Sequence, residues 1–229
     1  MSEENYYDEV FARNYDIFTQ GGYYDYKQEA DDLAELVGGK SLLEVGIGTG
    51  GLAKLLLEKG FEIEGVEPSQ AMIDELEKKN LGITVHKQGA SQLDTGKQYD
   101  AIYSHAGIPV AVNREGGLCF DSHILDKEEF EQAMRRAFEH LKKGGKFLCA
   151  VQSGKTDNTS LGGFYRNESR VEGDLFTKTH HFKEGEKWVS TTVNARVWPE
   201  HEYVGMMESV GFKKVGHNKN KTWYAFEKP

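Results

Sequence analysis

Apolar and polar positions along the chain follow two alternating periods. Residues 25–37 place apolar side chains at helical spacing and end at two glycines, which predicts an amphipathic helix. Five short apolar runs predict strands, at residues 41–46, 62–68, 83–87, 99–104 and 146–152. Helical spacing returns after three of these runs, in helices predicted to begin after the glycines of 46–51, at Ser69 and at Asp126. Because parallel strands need crossover helices, the alternation predicts a mostly parallel sheet covered on both faces.

The last third of the chain has a different pattern. Polar, glycine-rich sequence after residue 152 is followed by β-like runs at 176–198, which predict an inserted or edge hairpin. A final helix is predicted from Pro199 to just before Gly211, and two closing strands turn around residues 218–220. The predicted fold class is therefore α/β: a doubly wound, mostly parallel seven-stranded sheet with an antiparallel C-terminal hairpin, a helical N-terminal lid and a small β insertion.

A length of 229 residues predicts one domain, because a single hydrophobic core stops growing near ~250 residues. Four segments are expected within residues 1–229: N-terminal lid helices at 1–38, a cofactor-binding core at 39–152, an inserted β-rich substrate cover at 153–198, and a closing helix and hairpin at 199–229. Ligands of such sheets bind at the carboxyl ends of the strands, so residues 1–30 and the loop at 105–125 are expected to cover the site.

Composition and charge narrow the class of protein. The formal net charge is -9, and an acidic surface disfavours nucleic acid as a partner. The N-terminus is acidic and aromatic, and no apolar run approaches the ~20 residues that span a bilayer, so we expect a soluble, cytoplasmic protein without membrane contact. Cys119 and Cys149 lie far apart, and His180 and His181 are predicted to point to opposite faces of a strand, so we expect a metal-free site.

The glycine-rich loop after the first strand carries the main chemical signal. Gly46, Gly48 and Gly51 satisfy G-x-G-x-x-G between a predicted strand and a predicted helix. Glu67 falls at the tip of the next strand, where a carboxylate can accept both hydroxyls of a ribose, so the cofactor is predicted to contain adenosine. The charge of Glu44 opposes the pyrophosphate of a dinucleotide and favours a ligand that carries an ammonium and a sulfonium.

On these residues the sequence resembles the class I S-adenosylmethionine-dependent methyltransferases, whose first motif is an acidic residue followed by G-x-G-x-G. Glu44 and the glycines match that motif, and the resemblance covers residues 10–152 and the C-terminal hairpin. It implies S-adenosylmethionine as the cofactor, with Glu67 on the ribose and Met72 against the adenine. Many relatives carry an aspartate after the third strand, where this chain has Gly89. The predicted cofactor-binding residues are Tyr15, Glu44, Gly46, Gly48, Gly50, Glu67, Pro68, Met72, Gly89, Ala90, Ser91 and Ser104.

Within this superfamily the N-terminal segment is similar to sugar-amine N-methyltransferases, which carry Y-D-x-F followed by D-Y-x-x-E-A. The matching residues are Tyr15, Asp16, Phe18, Asp25, Tyr26, Glu29 and Ala30. The chain departs from the family at Thr19, Gly22 and Tyr24, on the predicted lid. The resemblance implies an amine nitrogen as methyl acceptor, although an aromatic helix that covers a sheet would also carry tyrosines for packing.

Methyl transfer from a sulfonium is an in-line displacement, and correct positioning can supply up to ~7–11 kcal/mol of the barrier. We expect positioning to dominate, with Tyr15 and Tyr23 as catalytic residues whose rings attract the methyl-sulfonium cation. His105 follows the fourth strand and is expected to assist catalysis as a proton acceptor. Tyr24, His105 and His123 are predicted to contact the substrate.

The predicted function is S-adenosylmethionine-dependent methyl transfer to a small molecule, with an amine nitrogen preferred. Three alternatives stay open. These are O-methylation with His105 as the base, a dinucleotide-dependent oxidoreductase, which Glu44 disfavours, and a non-catalytic S-adenosylmethionine-binding protein, which the departure at Gly89 allows. The chain is expected to be a monomer or a homodimer, and the sequence does not identify the methyl acceptor.

Overall fold

The computed structural model describes residues 7–154 and 159–229, and the predicted alternation of strands and helices is present in them. The helices are α1 (Glu9–Phe18), α2 (Tyr26–Leu36), α3 (Gly51–Glu58), α4 (Gln70–Glu77), α5 (Lys127–Glu139) and α6 (Glu200–Val210). The strands are β1 (Ser41–Val45), β2 (Glu62–Val66), β3 (Thr84–His86), β4 (Tyr99–Ser104), β5 (Val110–Arg114), β6 (Gly117–Ser122), β7 (Leu141–Ser153), β8 (Ser160–Leu161), β9 (Tyr165–Glu172), β10 (Leu175–Glu184), β11 (Lys187–Pro199), β12 (Lys213–His217) and β13 (Trp223–Glu227). No helix in this part of the chain is long and apolar enough to cross a membrane.

The central sheet agrees with the predicted fold class. Its strands lie in the order β3-β2-β1-β4-β7-β13-β12, parallel from β3 to β7, with β13 and β12 as an antiparallel hairpin. Successive side chains of β7 enter different cores, since Phe147 joins the cluster under α5 and α6 and Leu148 the cluster under α2 and α3. This period of two buries the sheet on both faces. The doubly wound α/β fold predicted from the sequence is confirmed.

Beyond the end of β7 the strands form a second, mainly antiparallel sheet. The prediction for one part of this sheet was wrong. The segment expected to be a loop at 105–125 contains the hairpin β5–β6, which turns at Gly116 and Gly117, both at positive φ. Strand β5 pairs with the last residues of β7, and β6 pairs with β11. The hairpin therefore connects β7 to the strands of the predicted insertion, and all of them belong to one sheet. The β-like runs expected at 176–198 are β10 and β11 within that sheet. The strands of the hairpin are too short to show a clear period in the sequence.

The N-terminal helices cover the carboxyl edge of the central sheet. Asp8 and Asp25 cap α1 and α2 by accepting from the backbone N–H groups of Phe11 and Gln28. A π-helical turn at Thr19–Tyr23, with Gly22 at φ 97°, joins the two helices and brings Tyr23 to the cavity described below. Helix α1 packs against α4 and β11, which places it across the mouth of the site.

Helix α2 is held to the C-terminal hairpin by a buried carboxylate. Asp32 accepts hydrogen bonds from Thr222 Oγ1 at 2.6 Å, Asn220 Nδ2 at 2.6 Å and Gln28 Nε2 at 2.9 Å. Burial disfavours its charge, but these hydrogen bonds outweigh that cost and lower the pKa of Asp32. The contact ties α2 to the turn that precedes β13.

Candidate active site

Three adjoining cavities lie beneath the N-terminal helices. The large cavity, of about 610 Å³, lies between α1 and the antiparallel sheet. The middle cavity, of about 460 Å³, and the small cavity, of about 240 Å³, lie at the glycine-rich loop. Tyr15 and Ala106 line all three, so these residues mark the junction. A ligand on the loop and a second ligand in the large cavity would therefore meet there.

The loop after β1 is shaped by glycines in the left-handed region. Gly46, Gly48 and Gly50 have φ of 74°, 53° and 74°. The first two line the middle cavity, whereas Gly50 caps α3, where an added Cβ would come within 3.2 Å of Leu76. The sequence therefore predicts the loop correctly, while the structure gives Gly50 a packing role.

Two buried carboxylates flank this loop. Glu44 is 3% exposed and faces the small cavity, and Glu67 is 4% exposed and faces the middle cavity. Tyr103 donates to Glu44 at 2.8 Å, and Glu67 accepts from the N–H groups of Gly48 at 2.9 Å and Ser69 at 3.0 Å. Burial raises the pKa of Glu44 to about 8 and that of Glu67 to about 7, and the charge of Glu67 adds to the shift at Glu44. Neither carboxylate forms an ion pair within residues 7–154 and 159–229.

The two buried carboxyl groups limit which ligands suit the loop. A buried carboxylate is costly unless it is paired or hydrogen-bonded. A ligand with a cationic group beside Glu44 and hydroxyl donors beside Glu67 would satisfy both. A phosphate-bearing ligand would place its negative charge beside both carboxyl groups.

The predicted tyrosines lie together. Tyr15, Tyr23 and Tyr24 all line the large cavity. Lys178 Nζ donates to the hydroxyl of Tyr23 at 2.8 Å, and Gln152 Nε2 donates to that of Tyr24 at 3.3 Å. Burial raises the pKa of Tyr15 and of Tyr24, so both phenols are neutral at physiological pH. The wall of the large cavity is therefore aromatic and uncharged along the N-terminal segment.

His105 lies beside the small cavity, and its ring centroid is 4.6 Å from that of Tyr24, which lines the large cavity. It is 3% exposed, its Nε2 lies 2.7 Å from Glu29 Oε2, and it packs against the rings of Tyr24 and Tyr26. It lines the small cavity together with Glu44. Its predicted role as proton acceptor stays a prediction, and its carboxylate partner on α2 is a feature that the sequence did not indicate.

His123 lies where the large and middle cavities adjoin. Its Nδ1 is 2.7 Å from the carbonyl oxygen of Asn194, and its Nε2 is 2.9 Å from the hydroxyl of Tyr7. Burial lowers the pKa of His123. The close approach requires Gly107, because a Cβ there would lie 2.6 Å from the ring.

The remaining predicted cofactor residues divide into two groups. Pro68 and Met72 line the middle cavity. The others, Gly89, Ala90, Ser91 and Ser104, do not line the three cavities, and their roles stay predictions. Ser91 Oγ donates to Glu129 at 3.1 Å, and Ser104 Oγ accepts from the N–H of Ile108 at 3.3 Å. Both hydroxyls are thus engaged in the packing around the site.

Several lining residues were missed by the sequence analysis. Lys178, Arg114 and Asp121 line the deep part of the large cavity, and Arg114 pairs with Asp121 through two contacts of 2.7 Å. They come from β5, β6 and β10, and no local pattern in the sequence brings these three strands together. His180 faces the cavity and bonds Tyr165, whereas its neighbour His181 bonds Ser190, in keeping with the predicted opposite faces. The described residues contain no group of three or more His, Cys, Asp or Glu that could hold a metal ion.

Another missed feature is a latch between the lid and the loop. Asp16 of α1 accepts from Thr49 Oγ1 at 2.6 Å and pairs with Lys79 Nζ at 2.6 Å. Lys79 also donates to the carbonyl of Thr49 at 2.7 Å. The Tyr15–Asp16 dipeptide was singled out in the sequence, but its partners in the loop and after α4 could not be.

The latch leads to a prediction for ligand retention. Asp16→Ala should weaken binding of S-adenosylhomocysteine about 3- to 10-fold, mainly through faster dissociation, because hydrogen bonds to a charged group contribute roughly 1.5–3 kcal/mol and exposure reduces this. Stopped-flow dissociation rates would measure the effect. Glu131→Ala, which removes an exposed ion pair with Arg135 on α5, is the matched control. Equal rates in both variants and the wild type would exclude a latch.

Comparison with known proteins agrees with this geometry. Residues 42–145 match the family model described as a methyltransferase domain. An uncharacterized methyltransferase of Bacillus cytotoxicus is 32% identical over 147 residues, which cover 61% of this chain and 63% of the relative. The chain thus spans less than two thirds of the length of the curated relatives it matches.

Two solved structures share the architecture. A sugar N-methyltransferase from Streptoalloteichus superposes with a TM-score of 0.73 at 22% identity, over 93% of this chain and 92% of that one. An S-adenosylmethionine-bound amino pentose methyltransferase from Micromonospora echinaspora superposes with a TM-score of 0.66 at 17% identity, over 99% and 100%. These identities bear on the fold alone. The domain match over residues 42–145 agrees with the methyltransferase resemblance seen in the sequence.

Proposed function

We propose that this chain, a methyltransferase-domain protein with the class I S-adenosylmethionine-dependent methyltransferase fold, transfers the methyl group of S-adenosylmethionine to an amine nitrogen of a small molecule. The observation that carries the proposal is the junction at Tyr15 and Ala106. On one side lies a loop with two buried carboxylates that lack a cation among the described residues. On the other lies a partly open cavity whose lining is rich in aromatic side chains.

S-adenosylmethionine fits the donor set of the loop. Glu44 would hold the ammonium of its methionine part, Glu67 would hold the ribose hydroxyls, and Pro68 and Met72 would hold the adenine. When bound, the cofactor supplies an electrophilic methyl group on a sulfonium. The cavities on either side of Gly46 leave room for both ends of such a ligand.

The chain's own groups position the acceptor and exclude water. Tyr15 lies at the junction, and Phe18, Tyr23 and Phe176 form an apolar wall beyond it. Aromatic faces attract a cationic amine and the charge that develops on it during methylation. Held in line, the acceptor gains the effective concentration that accounts for most of the rate in reactions of this kind.

The preference for nitrogen has support from the named activities of neighbours, since the two solved structures act on a sugar amine and an amino pentose by their descriptions. The lid residues Tyr15 and Asp16, which resemble the sugar-amine enzymes in sequence, lie at the junction and in the latch. They contact the two places where acceptor and cofactor would be held.

An acceptor screen with methyl-labelled S-adenosylmethionine tests the proposal. Three amines are paired with hydroxyl counterparts: benzylamine with benzyl alcohol, tyramine with tyrosol, and D-glucosamine with D-glucose. We expect label on the nitrogen of at least one amine and on no hydroxyl counterpart. Label only on hydroxyls would favour O-methylation. Binding of S-adenosylhomocysteine without transfer would indicate a non-catalytic protein. We expect S-adenosylhomocysteine at 100 times its dissociation constant to stabilise the protein by ~2.7 kcal/mol. Stabilisation by NAD instead would indicate an oxidoreductase.

A further inference from the structure

The hydrogen bonds of His123 fix which nitrogen of its ring carries the proton. The carbonyl oxygen of Asn194, 2.7 Å from Nδ1, can only accept, so Nδ1 holds the hydrogen. In the neutral ring Nε2 then has a lone pair, which accepts from the hydroxyl of Tyr7 at 2.9 Å. His123 and Tyr7 both line the large and the middle cavity. This pair therefore places a basic nitrogen and a phenol where the acceptor and the cofactor meet.

The surroundings keep this imidazole neutral. Burial lowers its pKa, and Lys178 on β10 acts in the same direction, whereas Asp121 and the Asn194 carbonyl act in the opposite one. His180 faces it from β10 and is itself held neutral by burial. Tyr7 stays protonated, because burial and the charge of Glu67 raise the pKa of its hydroxyl. At physiological pH the ring is therefore unprotonated, and its Nε2 carries a lone pair.

We propose that Tyr7 and His123 form a proton relay that removes the proton of the acceptor amine. This inference rests on the proposed function and names the base for the methyl-transfer reaction. A bound ammonium gives its proton to the Tyr7 oxygen while Tyr7 gives its own to His123 Nε2, which leaves a neutral amine and an imidazolium. The nitrogen lone pair then forms the N–CH₃ bond as the C–S bond breaks, and the electron pair of that bond stays on sulfur. Imidazolium later releases the proton to water.

His105 is less well placed for this task. Its Nε2 is engaged with the carboxylate of Glu29 at 2.7 Å, and it lines the small cavity beside Glu44 rather than the large one. A group beside the methionine part of the cofactor acts on binding and orientation. His123 borders both cavities and carries its lone pair on the nitrogen that faces Tyr7.

The kinetic test uses the amine with the highest turnover among benzylamine, tyramine and D-glucosamine. His123→Gln keeps a donor for Asn194 but cannot take up a proton, and it should lower the maximal rate at pH 7 about 100-fold, the low end for positioned proton transfer. The deficit should shrink as pH approaches ~10, where a growing fraction of a simple amine is already neutral. Tyr7→Phe should show the same trend. His201→Gln, on the exposed face of α6, is the matched control.

Each outcome bears on the relay. Binding of S-adenosylhomocysteine within twofold of wild type confirms that a variant is folded. If His123→Gln lowered the maximal rate by the same factor at every pH, the role would be structural and the relay would be overturned. A His123→Gln pH profile identical to wild type would also overturn the relay. A larger, pH-dependent loss in His105→Ala would assign the proton to His105. Turnover of no amine in the panel would instead refute the proposed function.

A spectroscopic readout does not require an acceptor. In ¹⁵N spectra of the S-adenosylhomocysteine-bound protein, the histidine signals that vanish in His123→Gln should show a protonated Nδ1 and an unprotonated Nε2 from pH 8 down to pH 6.5. Tyr7→Phe should shift the Nε2 signal. A proton on Nε2 would contradict the assignment even if the rates agreed.

Discussion

Gly48→Val should abolish binding of S-adenosylhomocysteine while the chain stays folded. Gly48 has φ of 53°, a region that a branched side chain rarely adopts, and it lines the middle cavity. An added Cβ would point toward Met72, 3.8 Å from its Cε, so the larger valine would fill the space proposed for the adenosine. We expect affinity to fall at least ~100-fold, which corresponds to ~2.7 kcal/mol. Calorimetry with S-adenosylhomocysteine measures the loss.

A second glycine separates backbone strain from occlusion. Gly60 has φ of 83° at the end of α3, and nothing lies within 4 Å of an added Cβ. Gly60→Val should therefore show similar destabilisation in thermal unfolding but retain affinity. If Gly48→Val bound as tightly as Gly60→Val, the ligand would not approach the loop at Gly48.

The central sheet could be predicted because its signals are local. Each predicted strand and helix is encoded by a run of about 5–13 residues with one period, and their alternation indicates a parallel sheet. The Ser69 and Asp126 caps lie where the sequence places them. The hairpin β5–β6 was missed for the opposite reason. Its strands pair with β7 and β11, which lie far along the chain, so no local pattern marks them.

The same difference between local and long-range signals decides which features of the site could be predicted. Glu44 and Glu67 could be named as candidates because each lies at the end of a strand beside the glycine-rich loop, and Met72 because the family resemblance implies it. The partners that define their environment come from elsewhere, as in the contact of Tyr103 with Glu44. The contact of Lys178 with Tyr23 joins residues 155 positions apart, and that of His123 with Asn194 joins residues 71 apart. No spacing rule in a single sequence identifies such pairs. His123 could therefore be predicted to contact the substrate, but the orientation of its ring could not be predicted.

The two carboxylates predict a steep pH dependence of cofactor affinity. In the free protein, burial raises the pKa of Glu44 to about 8 and of Glu67 to about 7, so both are largely protonated at pH 6. An ammonium and ribose hydroxyls bind the ionised forms. Binding at low pH must therefore expel protons, and affinity for S-adenosylhomocysteine should rise roughly 10- to 100-fold between pH 6 and pH 8, up to tenfold per pH unit for each carboxyl.

The free protein should show the opposite trend in stability. A carboxyl whose pKa is raised on folding stabilises the fold below its unfolded pKa of ~4.3, and that contribution is lost as pH rises through the folded value. The free energy of unfolding should thus lose the contribution of Glu44 and Glu67 between pH ~4.3 and about 8. The gain in Tm from added S-adenosylhomocysteine should grow over the upper part of the same range.

Glu44→Gln isolates the larger of the two contributions. The amide keeps the size of the side chain but cannot ionise, so affinity should fall at pH 8 and lie close to wild type at pH 6, where Glu44 is already neutral. Glu62→Gln, an exposed position at the start of β2, is the matched control and should follow the wild-type curve. Dissociation constants from calorimetry at half-unit steps from pH 6 to pH 8.5 give the slopes. A wild-type affinity that is flat over this range, or a Glu44→Gln variant with an unchanged slope, would show that no ligand cation pairs with Glu44 and would remove the charge argument for S-adenosylmethionine.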